Sequence, residues 1–429
     1  MTIAVLAISF FGLLFVGVPV SFAIGLSSLA ALVVSFPTDL AAQILAQKMI
    51  TALDSFGLLA IPLFILAGNI MNQGGIARRL VNLAKLLMGP FPGALAHCNI
   101  LANMMFGAIS GSAVSSAAAV GKIMLPLQTE EGYDPAFATA INVASAPTGL
   151  IIPPSGALIL FSLVSGGTSV AALFVAGYAP GVLMGLGLMG LAAWKARREN
   201  YPTYPRPKLA ELGQATLAAL PSLFMVVVVI GGILKGYFTA SEASAIAVLY
   251  ALVLAMTYKE VKWADLPALF LDSTVTTAIV LFLVGASVTM SWVFAVANIP
   301  ETVVGALAGV SDNPRVMLLL INLLLLVCGT FLDLTPALLI FTPLFLPIVQ
   351  SFGVHPVHFG IVMTLNLCIG ICTPPVGSLL FVGSSVSGVE IPAIVRHLLP
   401  IYAVLIIVLG LVTFFPELSL FLPRMWGLL

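Results

Sequence analysis

Two short stretches place chemically useful residue types inside an otherwise apolar chain: "TGLIIPPSG" at 148–156 and "IGICTPPVGS" at 369–378. Proline removes a backbone donor and clashes with the preceding turn, so a Pro-Pro pair ends one helix and can begin another. The flanking glycines permit unwound backbone between the two. A helix opened this way presents free carbonyls at one end and free amides at the other. The carbonyls suit a hard cation such as Na+, and the amides suit an anion. Each half has a second irregular segment upstream. In the first it is "FGAISGSAVSSAAAVGK" (106–122), where Ser110, Ser112, Ser115 and Ser116 sit among small residues. In the second it is "CGTFLDLTPALLIFTP" (328–343), where Asp333, Thr335 and Pro336 interrupt an apolar run. Small residues let backbones approach closely, so packing alone is a credible role for the SGS stretch. An aspartate within a membrane segment is expensive and points to function by default. A kink that merely shapes packing is the bland reading of one Pro-Pro pair; two related ones favour a binding role.

The elements that must position these residues are membrane helices. Of 429 residues, 61% are hydrophobic and 7% charged, with mean hydropathy +1.18, which leaves too little polar surface for a soluble domain. Runs such as Ala4–Phe36, Leu217–Leu234 and Pro400–Phe415 approach or exceed the length of a span. The length allows roughly ten to twelve membrane elements. Residues 4–36 fit one Pro-kinked helix or two. The N-terminal stretch has no charged region before it and no small-residue cleavage site, and is expected to be a retained span. Net charge is zero with no basic patch, which argues against nucleic acid. Cys368 and Cys372 share a helical face with His355 or His358 in reach, but buried inert thiols are the better reading.

The halves are related. An offset of 221 residues pairs Pro126, Pro135, Pro153 and Pro154 with Pro347, Pro356, Pro374 and Pro375. It also pairs Gly132, Gly149, Gly156 and Gly167 with Gly353, Gly370, Gly377 and Gly388. Abundant glycine and proline in membrane proteins is the chance explanation, and a repeat the stronger one. The basic stretches "ARRLVNLAK" (77–85), "WKARRENYPTYPRPK" (194–208) and "YKEVKWADLP" (258–267) belong on the cytoplasmic side. Counting crossings between them puts an odd number between the two repeats, so the repeats are inverted; Arg424, on the outside, departs from the charge rule. Parity does not separate a re-entrant hairpin from two full spans. Inverted repeats with helices broken at matching places point to a secondary transporter with its site near the bilayer midplane. Two hairpins dipping from opposite faces, with tips near Ser110 and Asp333, are expected to meet the two broken helices. The expected fold is therefore all-α and polytopic. Scaffold helices and a basic arm occupy 1–93, a first hairpin and broken helix 94–168, and a closing helix 169–194. A cytoplasmic linker follows at 195–216, then scaffold helices at 217–315, a second hairpin and broken helix at 316–388 and a C-terminal helix at 389–429.

Along nearly its whole length the chain resembles the large membrane subunit of TRAP transporters (tripartite ATP-independent periplasmic transporters). The matching stretches, in order, are "IPLFILAGNIMNQGG", "GAISGSAVSSAAAVG", "GLIIPPSG", "LFVAGYAPG", "GGILKGYFTASEA", "LDLTPALLIFTPLFLP", "VHPVHFG" and "CIGICTPPVGSLLFV". The resemblance implies an elevator, in which hairpins and broken helices form a transport domain sliding against a scaffold in the bacterial inner membrane. It implies coupling to Na+, delivery of substrate by a periplasmic binding protein, and a separate small four-helix membrane subunit, since no such unit precedes the first helix. It also implies two sodium sites, made largely of carbonyls. One would use Gly107, Ser110, Gly149, Ile152 and Pro154; the other Gly329, Gly370, Thr373 and Val376. Substrates of the family are mostly organic acids, including C4-dicarboxylates and sialic acid. "NVASAPTGLIIPPS" and "SDNPRVMLLLINLLLLVCGTFLDLTPALLIFTP" look more like the sialic-acid branch.

The expected substrate-binding residues are Ser110, Ser112, Ser115, Ser116, Ser155, Asp333 and Thr335. No basic side chain sits at either tip, so an anion would rely on helix N-termini, hydroxyls and bound sodium. Lys122, the nearest base, is as well read as snorkelling from the hairpin base. A membrane-embedded enzyme is the rival from another class, but it wants paired carboxylates or a His/Asp/Ser set around one cavity. An ion channel would want rings of charge or a filter.

Overall fold

The computed structural model describes residues 2–299, 302 and 313–429. Ser311, which opens the second sialic-acid-like block, and part of the expected 217–315 division lie outside them. Residues 4–36 form two helices, α1 (Thr2–Phe15) and α2 (Val20–Ser35), separated where Gly17 takes a φ of +87° and Pro19 follows. The hydroxyls of Thr2 and Ser35 lie 3.2 Å apart, so the pair runs antiparallel. α3 (Thr38–Leu53) starts behind Pro37, and a 3-10 turn at Phe56–Leu59 redirects the chain into α4 (Ala60–Gln73). The basic arm is α5 (Ile76–Met88). It buries Ile76, Leu80, Leu83 and Ala84 on one face and leaves Arg78 and Asn82 exposed on the other. Arg79 stacks 3.5 Å over the Tyr258 ring and ties the arm to the second basic loop.

The first hairpin is α6 (Ala94–Ser110) and α7 (Ala113–Glu130). Gly111 makes the turn at φ +62°, and the Ser112 hydroxyl caps α7 by accepting the Ser115 N–H. α8 (Pro135–Ser145), α9 (Thr148–Ile151) and α10 (Gly156–Val164) form the first broken helix, bent by 50° at the break. α11 (Val170–Glu199) closes the repeat. The second half repeats this plan. α12 (Leu209–Leu234), α13 (Ala240–Thr257) and α14 (Leu266–Val296) precede a hairpin of α15 (Pro314–Gly329) and α16 (Leu334–Ser351). α17 (Pro356–Gly370) and α18 (Ser378–Ser387) are the second broken helix, followed by α19 (Ile391–Phe414) and α20 (Glu417–Met425). Both Pro-Pro peptide bonds, 153–154 and 374–375, are cis.

The 221-residue offset holds in three dimensions. It carries α7 onto α16 at both ends and the start of α11 onto the start of α19. It also carries the left-handed Gly132 and Gly167 onto the left-handed Gly353 and Gly388. The Cys368 thiol lies 3.7 Å from the Pro147 carbonyl, and these two positions are partners under the offset. A position touching its own partner marks the axis that relates the repeats. α4 packs on α13, and the equivalent contact of α14 on α2 completes the exchange.

Helices α6–α11 and α15–α20 pack into one body, while α1–α4 and α12–α14 pack into another, with α5 lying between α6 and α12. Among the described residues, seven helices are long and apolar enough to cross a bilayer, or eight counting the bent pair. Shorter apolar helices, including the hairpin arms α6 and α15, supply the other membrane elements. Two expected boundaries need correction. The linker is not 195–216, because α11 continues to Glu199 and α12 begins at Leu209. Arg197 and Arg198 stabilise the C-terminal end of α11, and the Glu211 carboxylate accepts the Lys208 N–H at the start of α12. The C-terminal segment 389–429 is two helices, because Phe415 leaves helical geometry at φ −118° and ψ 82° and Pro416 starts α20 afresh.

Candidate functional site

The residues expected to hold cations lie where helix C-termini meet. The last turn of α6 crosses α9 so closely that a Cβ on Gly149 would sit 2.3 Å from the Gly107 Cα. In the second repeat α15 crosses α17 in the same way, where a Cβ on Gly370 would sit 2.8 Å from the Gly329 Cα. Only glycine permits such an approach. Each crossing brings two partially negative helix ends together, an arrangement that a cation relieves. In the first, the Gly107 carbonyl accepts the Gly111 N–H at 2.8 Å and the Ile152 N–H reaches the Thr148 carbonyl at 3.2 Å. In the second, the Thr373 N–H bonds the Gly370 carbonyl at 2.8 Å, and the Val376 N–H bonds the Thr330 carbonyl at 3.2 Å, stitching hairpin to break. The two differ in exposure. Gly107, Ser110, Gly149 and Pro154 are buried, whereas Val376 is 47% exposed.

The opposite ends of the same breaks face a cavity of about 570 Å³. Four helix N-termini border it. Ser112 and Ser115 come from α7, Gly156 from α10, Asp333 and Thr335 from α16, and Ser378 from α18. Their positive ends point at shared space, which favours negative charge without any basic side chain. Asp333 is the one charged residue among the described residues that line the cavity. Its Oδ1 accepts the Ser378 hydroxyl at 3.1 Å, joining the second hairpin tip to the second break. The far wall is α4 and α14. Gly68 of α4 meets the first hairpin tip so tightly that a Cβ there would lie 2.5 Å from the Ser110 carbonyl oxygen.

Ser110, Ser112, Ser115, Asp333 and Thr335 thus share one cavity. Ser116 and Ser155 do not line it. The Ser116 hydroxyl donates to Asn103 Oδ1 at 2.7 Å, and the Ser155 hydroxyl donates to the Leu150 carbonyl and caps α10. Lys122 lies elsewhere on α7, Cys368 and Cys372 are fully buried, and His358 pairs with Ser419 at 2.8 Å. Sequence reasoning missed Asn69, Thr276 and Ser378. Asn69 interrupts an apolar run and donates to the Ser273 hydroxyl at 2.8 Å, and Ser378 directly follows the PPVG turn; both were readable signals.

It also missed a buried amide network one turn beneath the first crossing. Asn103 Nδ2 lies 2.8 Å from Asn99, 3.0 Å from Asn142 and 2.9 Å from Ser145, and Asn142 Nδ2 donates to the Ala117 carbonyl of α7 at 2.8 Å, so both hairpin arms are bound to the broken helix. Removing one member strands the others in a dry interior. Asn103→Ala is expected to destabilise the protein by about 2–4 kcal/mol. Thermal unfolding in detergent measures this, and a variant that melts with the wild type would show the network to be idle.

The profile of the family described as "Tripartite ATP-independent periplasmic transporter, DctM component" matches residues 7–418. The protein YgiK of Salmonella typhimurium is 58% identical over 99% of this chain and 98% of its own length. The sialic acid TRAP transporter large permease protein SiaM of Vibrio cholerae is 38% identical over 97% of each chain. The 2,3-diketo-L-gulonate TRAP transporter large permease protein YiaN of Escherichia coli is 37% identical over 96% of each. Among solved structures, the Alcanivorax borkumensis YdaH transporter superposes with a TM-score of 0.59 at 12% identity, covering 88% of this chain and 89% of its own. That likeness extends to the fold alone.

Proposed function

This chain belongs to the DctM component family of the tripartite ATP-independent periplasmic transporters, and from that premise we propose that it imports an organic acid anion together with Na+. It is a multi-pass permease of the bacterial inner membrane and not an enzyme. In the proposed cycle a periplasmic binding protein delivers the anion, and a small four-helix membrane subunit completes the transporter. The body of hairpins and broken helices carries the anion past α1–α4 and α12–α14 as an elevator. The observation that carries this reading is the pairing of opposite helix ends at each break. C-termini meet at Gly107–Gly149 and Gly329–Gly370, while N-termini border the cavity beyond. Carbonyls there serve Na+, and amides and hydroxyls serve a carboxylate. The first sodium site would draw on Gly107, Ser110, Gly149, Ile152 and Pro154, and the second on Gly329, Gly370, Thr373 and Val376. Occupying both cancels the repulsion between like-signed ends and sets the hairpin tips for the anion, which is how ion and substrate become coupled.

Relatives named for sialic acid and for 2,3-diketo-L-gulonate stand at 38% and 37% identity, too close to choose between. Sialic acid is the first substrate to test, with keto acids and C4-dicarboxylates beside it. The protein is reconstituted in liposomes with the small subunit and the binding protein. Uptake is expected with an inward Na+ gradient and not with K+ in its place; equal uptake with K+ would reject the coupling.

A further inference from the structure

The two breaks are held in place by different means, and the difference singles out one side chain. In the first repeat the unwound segment is pressed onto a glycine-surfaced stretch of α11. A Cβ on Gly177 would lie 2.2 Å from the Ile151 carbonyl oxygen, and one on Gly181 would lie 2.5 Å from the Ile152 side chain. Close packing on all sides fixes that backbone, and residues 153–155 are buried. In the second repeat the described residues leave Pro375 and Val376 exposed, while Cys372 is as buried as its counterpart Ile151. The position equivalent to Gly181 under the 221-residue offset is Tyr402 of α19, whose hydroxyl donates to the Cys372 carbonyl at 2.7 Å. The nitrogen of that same peptide, at Thr373, donates to the Gly370 carbonyl at 2.8 Å. One peptide plane is therefore pinned at its oxygen by Tyr402 and at its nitrogen by Gly370. Thr373 belongs to this plane and the Gly370 carbonyl is bonded to it, and both are donors of the second proposed cation site.

We propose that Tyr402 is the positioning residue of the second cation site, holding the 372–373 peptide by a hydrogen bond so that its neighbours keep ligand geometry, where the counterpart peptide of the first repeat rests on a glycine surface. The assignment rests on the sodium reading above. A rotating peptide would pull the Thr373 hydroxyl from the Ile369 carbonyl, to which it donates at 2.8 Å, and carry it and the Gly370 carbonyl out of register, so the phenol sets the affinity of this site while leaving the first untouched. Tyr402 also reaches the Thr373 side chain, so it acts on the site through the carbonyl and the hydroxyl it holds and is not itself a ligand.

The test is the Na+ dependence of uptake in reconstituted liposomes, alongside melting of the detergent-purified protein with and without Na+. Tyr402→Phe deletes only the hydroxyl. It is expected to raise half-saturating Na+ about tenfold, the scale of one lost hydrogen bond to a fixed carbonyl. The maximal rate and the half-saturating substrate concentration at saturating Na+ stay near wild type, as does melting without Na+. Combined with Thr373→Ala, its effect on half-saturating Na+ is less than additive; combined with Ser110→Ala it is additive. An unshifted Na+ curve in Tyr402→Phe beside a Na+-dependent wild type overturns the assignment and leaves the sodium reading standing. A lower melting point without Na+ and no shift in the curve makes the residue merely structural, which also overturns it. A wild type indifferent to Na+ overturns both.

Discussion

Gly149→Ala is expected to abolish Na+-driven uptake. The added methyl would sit 2.3 Å from the Gly107 Cα and 2.4 Å from its carbonyl carbon, with backbone on both sides and no flexible side chain to yield. Carbon atoms rest about 3.5–4.0 Å apart, so α6 and α9 must separate by more than about 1 Å. A displacement of that size undoes the convergence of carbonyls on which a small cation depends. The amide network beneath the crossing resists the same displacement, so the substitution also destabilises the fold, by roughly 1–3 kcal/mol. Gly370→Ala repeats the experiment in the second repeat, where the methyl would meet three backbone atoms of Gly329 at 2.8 Å. Gly190→Ala is the control, since a methyl there meets nothing within 4 Å. Initial uptake rates together with melting curves decide the matter. Full transport by Gly149→Ala would remove the helix crossing from the mechanism.

Asp333→Ala is expected to lower uptake about tenfold or more while leaving the protein folded. The carboxylate stands at the mouth of α16 and accepts one bond, from Ser378. It is exposed to the cavity, so deleting it leaves no buried group stranded. What is lost is the link between the second hairpin tip and the start of α18, together with the only charge on the cavity wall among the described residues. Asp333→Asn separates the two contributions, because the amide oxygen still accepts the serine hydroxyl while the charge is gone. Near-normal uptake by Asp333→Asn assigns the role to the link, and failure matching Asp333→Ala assigns it to charge. Unchanged uptake in both excludes Asp333 from transport.

What could be read from the sequence follows from the kind of force each residue exerts. Pro153, Pro154, Pro374 and Pro375 impose their geometry locally, so both breaks are legible in the order of residues alone. Asp333 is legible because charge in an apolar run is costly to keep. Gly17 and Pro19 are equally plain, but a kink and a reversal use the same residues. The bond between Thr2 and Ser35, which decides for a reversal, joins positions 33 apart in sequence. Ser116 and Ser155 carry the same hydroxyl as Ser112 and Ser115, and only the three-dimensional packing separates those turned to buried partners from those that line the cavity. The amides of Asn99, Asn103 and Asn142 stand out in their apolar runs, yet partners 29 to 42 residues apart leave no local trace. Tyr402 gives no signal at all, since a tyrosine in a membrane helix is ordinary and its meaning lies in the glycine that occupies the equivalent place.

Where the Cys368 thiol rests beside the Pro147 carbonyl, the operation that interchanges the halves leaves the molecule where it was. That spot is a fixed point of the internal symmetry. In the elevator proposed above, this contact would travel with the body that holds it and keep its shape while each half took up the other's. The route to the periplasm would then be the route to the cytoplasm seen from the other half.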